Sequence, residues 1–265
     1  RPLNGRRLGR PNFTLLRATM IPESSDKFHL DPAQFAVGKH APSKVYAYLD
    51  ADGKPVGAKA RFEAGTLTPT KKEFRQWGYD PGAPKPNALG FVLGMTRDNG
   101  EKVTLPLYRL PEILDAINTN PKQTIYFVEG EKCADALAAR GLVATTLAGG
   151  SSRMDFGDAL EPLTGANVVI LADCDKSGRA HAERVATALH GKAGSVKLID
   201  LAPDRADGYD AADWLKEGHA TSELDALVRN ATKWEPMPDD SNNDAQTARK
   251  SVAVMGCLAD VESKP

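Results

Sequence analysis

The pattern of apolar positions changes character near residue 125. Between about 44 and 110 they come in short alternating runs punctuated by Gly, Pro and Asp. "KVYAYLDADGKPVGAKARFE" places Val45–Leu49 on a strand, turns at Asp52-Gly53 and returns through Phe62, which is the pattern of a β-hairpin. "KKEFRQWGYD" and "LGFVLGM" predict further short extended pieces, with a loop at the Pro/Gly-rich "DPGAPKPNALG". From about 125 onward, strands alternate with helices. "TIYFVEG", "LVATTLAGG", "NVVILADCD" and "GSVKLIDL" read as four strands, the second leaving through glycines. "EKCADALAARG", closed by Gly141, and "SGRAHAERVATALHG" read as helices, followed by helical "YDAADWLKEG" and "TSELDALVRNAT". Such alternation predicts a parallel sheet with helices on its faces, and such sheets carry their sites at the carboxyl ends of the strands.

That reading puts an acid at the exit of three elements. Glu129 ends the first strand, Asp173 and Asp175 end the third, and Asp210 with Asp213 follows the fourth after a loop. On extended chain Asp173 and Asp175 share a face, where two carboxylates repel each other and burial makes the repulsion worse. A cation is expected there. Converging carboxylates form a hard-oxygen site suited to Mg²⁺ (or Mn²⁺), the usual machinery of phosphodiester chemistry when a phosphate lies beside it. Gly130 and Gly178 allow close approach, and Lys132, Lys176 and Arg179 begin two helices whose N-termini favour phosphate. Each feature has a plainer reading alone. Glu129 can cap a helix, a D-x-D pair can sit on a surface, and Lys176 and Arg179 can be solvated charges. Cys133 reads as a small packed hydrophobe. The ordered set is more specific than any member. An EF-hand is excluded, since a loop beginning at Asp173 puts Arg184 where the bidentate Glu belongs.

Composition sets the bounds. With 265 residues, 41% hydrophobic and 26% charged, the chain suits a soluble protein of one large or two small domains. No apolar run reaches membrane-spanning length and no secretory leader opens the sequence, so the expected partners include no membrane. Cys133, Cys174 and Cys257 form no C-x-x-C pair, which argues against a zinc ribbon or a disulfide scaffold and makes the cytoplasm the expected compartment. The net charge of −1 conceals an asymmetry: residues 1–128 hold 19 Lys/Arg against 12 Asp/Glu, and residues 129–265 hold 15 against 23. A basic front half beside an acidic rear half suggests polyanion binding next to a cation site. Arg1 in place of an initiating Met suggests a processed chain or a piece of a longer one. The division expected is a flexible basic arm over 1–40, a β-rich basic module over 41–121, a catalytic α/β domain over 122–234 and a disordered tail over 235–265.

"YFVEGEKCADAL", "VVILADCDKSGRAHAERVA" and "DGYDAADWL" resemble the Toprim domain of DnaG-type primases, as found in phage, plasmid and integrated-element primase or primase-helicase proteins. The resemblance runs over about residues 122–220, and 41–121 resembles the module that precedes Toprim in such proteins. It implies an α/β Toprim-like fold behind a smaller β-rich α+β module. It also implies a nucleotidyltransferase that makes short primers on single-stranded DNA from nucleoside triphosphates. A replicative helicase, in trans or fused in a longer chain, is the implied partner. Residue by residue, it makes Glu129 the general acid/base at the 3′-oxygen, Asp173 and Asp175 the Mg²⁺ ligands, and Asp210 a further ligand. Cys133 stands where the family often has Asp, and Ala212 where cellular primases tend to have another. No Cys/His zinc module precedes the site, and no P-loop motif occurs.

The front module then has a natural task. Arg61, Lys71, Lys72, Arg75 and Trp77 are its nucleic-acid-binding candidates, with basic groups meeting phosphates and aromatics stacking on bases. The alternative, weighed equally, is that half of its aromatics fill its own core, Phe62 and Phe74 by alternation. Three other functions remain open. The same carboxylates support hydrolytic cleavage in Toprim nucleases; "DCDKS" fits a HAD-type phosphatase with Asp173 as nucleophile; and a degenerate Toprim serves as a DNA-binding module.

Overall fold

The computed structural model describes residues 30–236. Most of the expected basic arm and tail, with Cys257, lies outside the described residues. Two four-stranded sheets form the framework. The first is antiparallel, in the order β1 (Lys44–Leu49), β2 (Pro55–Phe62), β3 (Glu73–Tyr79), β4 (Phe91–Leu93). Asp50 builds the β1–β2 turn: its carboxylate accepts from the N–H groups of Asp52 and Lys54, both at 2.9 Å, while Gly53 takes the left-handed conformation (φ 77°).

Strand parity decides what each face of this sheet does. Ala58, Ala60, Phe62 and Trp77 point to one side and pack with Phe35 and Phe91, Trp77 meeting Phe35 edge-on at 5.4 Å. The other side carries Lys59, Arg61 and Phe74, with Arg61 opposite Phe74 in the register. Trp77 is therefore core, only 4% exposed, and Phe74 is exposed at 36%. Trp77, a nucleic-acid-binding candidate, is thus inside; of the two residues that alternation assigns to the core, Phe62 is there and Phe74 is not. Phe74 and Trp77 are three apart on one strand, so only one of them can face inward.

The second sheet is parallel throughout, in the order β6 (Ala144–Thr145), β5 (Thr124–Phe127), β7 (Asn167–Ala172), β8 (Ser195–Asp200). β7, central and apolar, is buried over Val168–Ala172. Helices α2 (Glu131–Ala138) and α3 (Lys176–Leu189) follow β5 and β7, and α4 (Ala211–Lys216) and α5 (Thr221–Asn230) follow β8. A helix over Leu110–Thr119, α1, was not expected; Leu110 and Ile113 bury it in the core of the parallel sheet beside Ile125 and Phe127. Among the described residues, no helix is long and apolar enough to cross a membrane.

The two sheets are joined by buried contacts. Tyr46 and Tyr48 of β1 pack on Tyr108 at 5.9 and 5.4 Å between ring centroids, within the core that contains Val128, Leu137 and Leu171. Glu131, 3% exposed at the start of α2, takes the Lys59 ammonium at 2.8 Å and accepts a hydrogen bond from the Tyr48 hydroxyl. A buried charge without such a partner costs several kcal/mol, so this pair fixes one orientation of α2 against β1–β2.

Candidate active site

Because all four strands of the second sheet run the same way, the chain leaves β5 and β7 at one edge. Glu129 lies two residues beyond β5 and Asp173 immediately beyond β7. Asp210 is brought in differently. A bridge between Cys174 and Tyr209, with the Cys174 N–H donating to the Tyr209 carbonyl at 2.8 Å, draws the loop after β8 back to the β7 exit. Asp210 then caps α4, its carboxylate accepting from the Asp213 N–H at 2.9 Å. Gly178 permits the close fit of α3: a Cβ there would lie 2.6 Å from both the Cβ and the carbonyl oxygen of Asp173.

Glu129, Asp173 and Asp210 line one cavity of about 760 Å³. Its opposite wall is the part of the antiparallel sheet that carries Arg61 and Phe74, with Lys72 just before β3, and the Gly149–Ser152 turn closes another side. Asp173 is the electrostatic focus. Burial, then the charges of Glu129, Asp210 and Asp175, push its carboxyl up to about 8, against relief from Lys132 alone among the main contributors. Burial also raises Asp210, but the Lys132 ammonium at 2.6 Å and the Asp213 N–H outweigh it and hold the group below the usual carboxylate range. The N–H of Gly178 and the hydroxyl of Ser177 hold Asp175 low. Burial and the neighbouring Asp210 and Asp173 push the Cys133 thiol up, so it stays protonated.

The expected site residues thus divide. Glu129, Asp173, Asp210 and Lys132 reach the cavity lining. Asp175 caps α3, its carboxylate 2.8 Å from the Gly178 nitrogen and 2.7 Å from the Ser177 hydroxyl. Lys132, expected at a phosphate, pairs with Asp210 at 2.6 Å and Asp213 at 3.7 Å. Arg179 is turned elsewhere. It binds Asp200 at 2.6 Å and donates to the carbonyls of Ala202, Pro203 and Arg205, tying down the loop after β8. Lys176 is exposed at the start of α3. In the front module, Arg61 pairs with Glu63 at 2.8 Å and Arg75 with Glu73 at 2.5 Å; Lys71 and Lys72 are exposed and Trp77 is buried away.

Several contacts at and behind this cavity were not visible in the sequence. Phe74 has the Lys59 ammonium 4.5 Å from its ring centroid, a cation–π contact on the cavity wall. The Ser151 N–H donates to a Glu129 carboxylate oxygen at 3.2 Å, and the Thr146 hydroxyl to the Glu129 carbonyl at 2.8 Å. The run of glycines after β6 was the visible signal, since two residues in the left-handed region, Gly149 (φ 105°) and Gly150 (φ 48°), build a turn that a Cβ would strain.

The donor set suits a hard divalent cation in chemistry: oxygen ligands, excess negative charge and one carboxyl that resists ionisation without a counter-charge. Among the described residues, though, no group of three or more His, Cys, Asp or Glu side chains is drawn together tightly enough to hold a metal ion. Two of the acids are instead satisfied internally, Asp210 by Lys132 and Asp175 by the α3 terminus.

No family model matches the chain, and no curated protein matches it. Among solved structures it is similar to the E. coli primase catalytic core, with 19% identity over 71% of this chain and 52% of that one and a TM-score of 0.46. It is also similar to a DNA primase domain from Pseudomonas aeruginosa, with 18% identity over 71% and 51% and a TM-score of 0.46. For the Aquifex aeolicus primase the figures are 20% identity over 72% and 40% and a TM-score of 0.47. The chain spans about half the length of the first two of these.

Proposed function

We propose that this chain carries the core of a Toprim-type primase, a metal-dependent nucleotidyltransferase that makes short primers on single-stranded DNA for a phage or other mobile element. The observation that supports it most is the polarity of one cavity. Acids from separate strand exits, with Asp173 pushed up to about 8 by burial and its acidic neighbours, face a wall that presents Arg61, Lys72 and Phe74. In this reading Asp173 and Asp210, with Asp175 behind them, would hold Mg²⁺ or Mn²⁺, which would supply positive charge against the triphosphate and the 3′-oxygen. Glu129 accepts the proton of that hydroxyl, its carboxylate oriented by the Ser151 N–H. Lys176 attends the phosphates of the incoming nucleotide, and Lys132 joins it when its ion pair with Asp210 opens. Template phosphates meet Arg61, Lys71 and Lys72, while Phe74 takes the stacking role that Trp77, being core, cannot. A replicative helicase is the expected partner.

Template-dependent incorporation of labelled ribo- or deoxynucleotides, with Mg²⁺ or Mn²⁺ and its loss in Asp173→Ala, tests the reading. A preparation that nicks a labelled strand without nucleotides and makes no primer would instead identify a Toprim nuclease. One that binds single strands but neither cuts nor extends them would identify a degenerate binding module.

A further inference from the structure

Among the described residues, the Glu129 carboxylate accepts from the backbone N–H of Ser151, which belongs to a short turn built on two glycines. The Gly149–Ser152 turn contains two glycines in the left-handed region. Its backbone hydrogen bonds run from Gly150 to the Leu147 carbonyl at 3.4 Å, from Ser152 to the Gly149 carbonyl at 3.2 Å and from Arg153 to the Gly150 carbonyl at 3.0 Å, and the Ser152 hydroxyl donates to the Gly149 carbonyl at 2.6 Å. Glycines lose the most conformational freedom on ordering, so a tie from outside the turn adds to what holds it in place.

That outside tie comes from α3. Arg184 donates from Nη2 to the Ser151 carbonyl at 2.8 Å, so the residue that presents its N–H to Glu129 is anchored through its own C=O. The guanidinium has been drawn in from solvent far enough to bury Nε, a cost that a merely solvated helix charge does not bear. Gly150 seats against the same acid, a Cβ there lying 3.3 Å from the Glu129 Cγ. The helix that supplies Arg184 is also the one capped by Asp175 and packed through Gly178 onto Asp173. One rigid element therefore touches both acidic strand exits, directly at Asp173 and through the turn at Glu129.

From this we infer that Arg184 is a positioning residue for Glu129, acting through the Gly149–Ser152 turn. The inference rests on the proposed role of Glu129 as the base at the 3′-oxygen.

The test uses Arg184→Met, which keeps much of the hydrocarbon stem and removes the donors, with Arg184→Gln as a second variant should the first fold poorly. Amide hydrogen exchange in the metal-free protein is expected to quicken by about tenfold or more at Ser151–Arg153, while β7 and α3 keep wild-type protection. In the primer-synthesis assay kcat is expected to fall by roughly ten- to a hundredfold, with the nucleotide KM changed less than about threefold. A general loosening of the fold would raise exchange in β7 and α3 as well, and would count against a positioning role. Unchanged exchange in the turn overturns the inference, and so does faster exchange with wild-type kcat. Glu129→Ala in the same assay separates the two levels. If it turns over normally, the reading of the site is wrong. If it is inactive while the Arg184 variants are not, only the role of Arg184 falls.

Discussion

Asp173→Asn should stabilise the metal-free protein, and only at high pH. In the folded chain burial and then three neighbouring carboxylates lift this group from the ordinary 3.8 to about 8. For an acid with a raised folded pKa, the folded state binds the proton more tightly than the unfolded state. Stability is therefore unaffected below about pH 4, falls as pH climbs toward 8, and levels off above that. Roughly four pH units at about 1.4 kcal/mol each set a ceiling of about 6 kcal/mol. Asp173 is only partly shielded, so solvent screening and relaxation reduce this to on the order of 3 kcal/mol. Asparagine has nearly the same shape and no charge to desolvate.

Thermal unfolding in EDTA, followed by circular dichroism, reads this directly. At about pH 8 the variant should melt roughly 6–12 °C above wild type, and at about pH 4.5 the two should agree within a few degrees. Saturating Mn²⁺ should close most of this gap at pH 8. Wild type then gains about 3 kcal/mol at a hundred times the dissociation constant, and the variant gains little. Equal melting temperatures in EDTA at both pH values would show that Asp173 is not a crowded, buried charge, and the electrostatic case for a cation site would go with it.

Three further outcomes follow from the same geometry. Lys59→Met alone should cost about 3–5 kcal/mol in urea unfolding by leaving Glu131 buried without its counter-ion, whereas Lys59→Met with Glu131→Leu should recover most of that loss. Lys132→Met releases the carboxylate of Asp210 from its 2.6 Å ion pair, so calorimetric titration should show Mn²⁺ binding tightened by about tenfold; weaker binding would mean that the lysine helps to build the cation site. Phe74→Ala should weaken binding of single-stranded DNA by about 1–3 kcal/mol at unchanged stability, while Trp77→Ala should lose about 3–5 kcal/mol of stability by emptying part of the core.

The parallel half was legible because its signals are local and redundant. A buried run such as Val168–Leu171 ending in Asp173, followed by a glycine and a 3.6-residue pattern, fixes strand, exit and helix together. The antiparallel half was less so. Phe74 and Trp77 are both large and apolar, and only the register that pairs Ala58 with Trp77 and Arg61 with Phe74 decides which of them is inside. Helix α1 escaped because the left-handed Arg109 (φ 61°), with no side-chain cap, stands at its start, and only Pro111 in the first turn marks it. The charges of the site were visible, but their pairings were not. Nothing near Arg179 in sequence points to Asp200 and the loop carbonyls beyond it, and nothing near Lys132 points to Asp210.

Those pairings change what the cavity can do. Each wall taken alone is an ordinary surface: one sheet edge with too many carboxylates, and one sheet face with basic groups and an exposed phenyl ring. A polyanion that also needs a cation is held only where the two face each other across a gap wide enough to admit it. The contact that keeps them facing lies in the cavity lining itself, in Lys59 of β2 and Glu131 of α2, with the hydroxyl of Tyr48 behind them. Glu131 stands two residues after Glu129, so the residue that docks the front sheet and the residue that meets the reacting oxygen in the proposed reaction are carried by one short link, through Gly130. A docking contact this close to a reactive group is worth its desolvation cost only if the relative placement of the two walls matters to what happens between them.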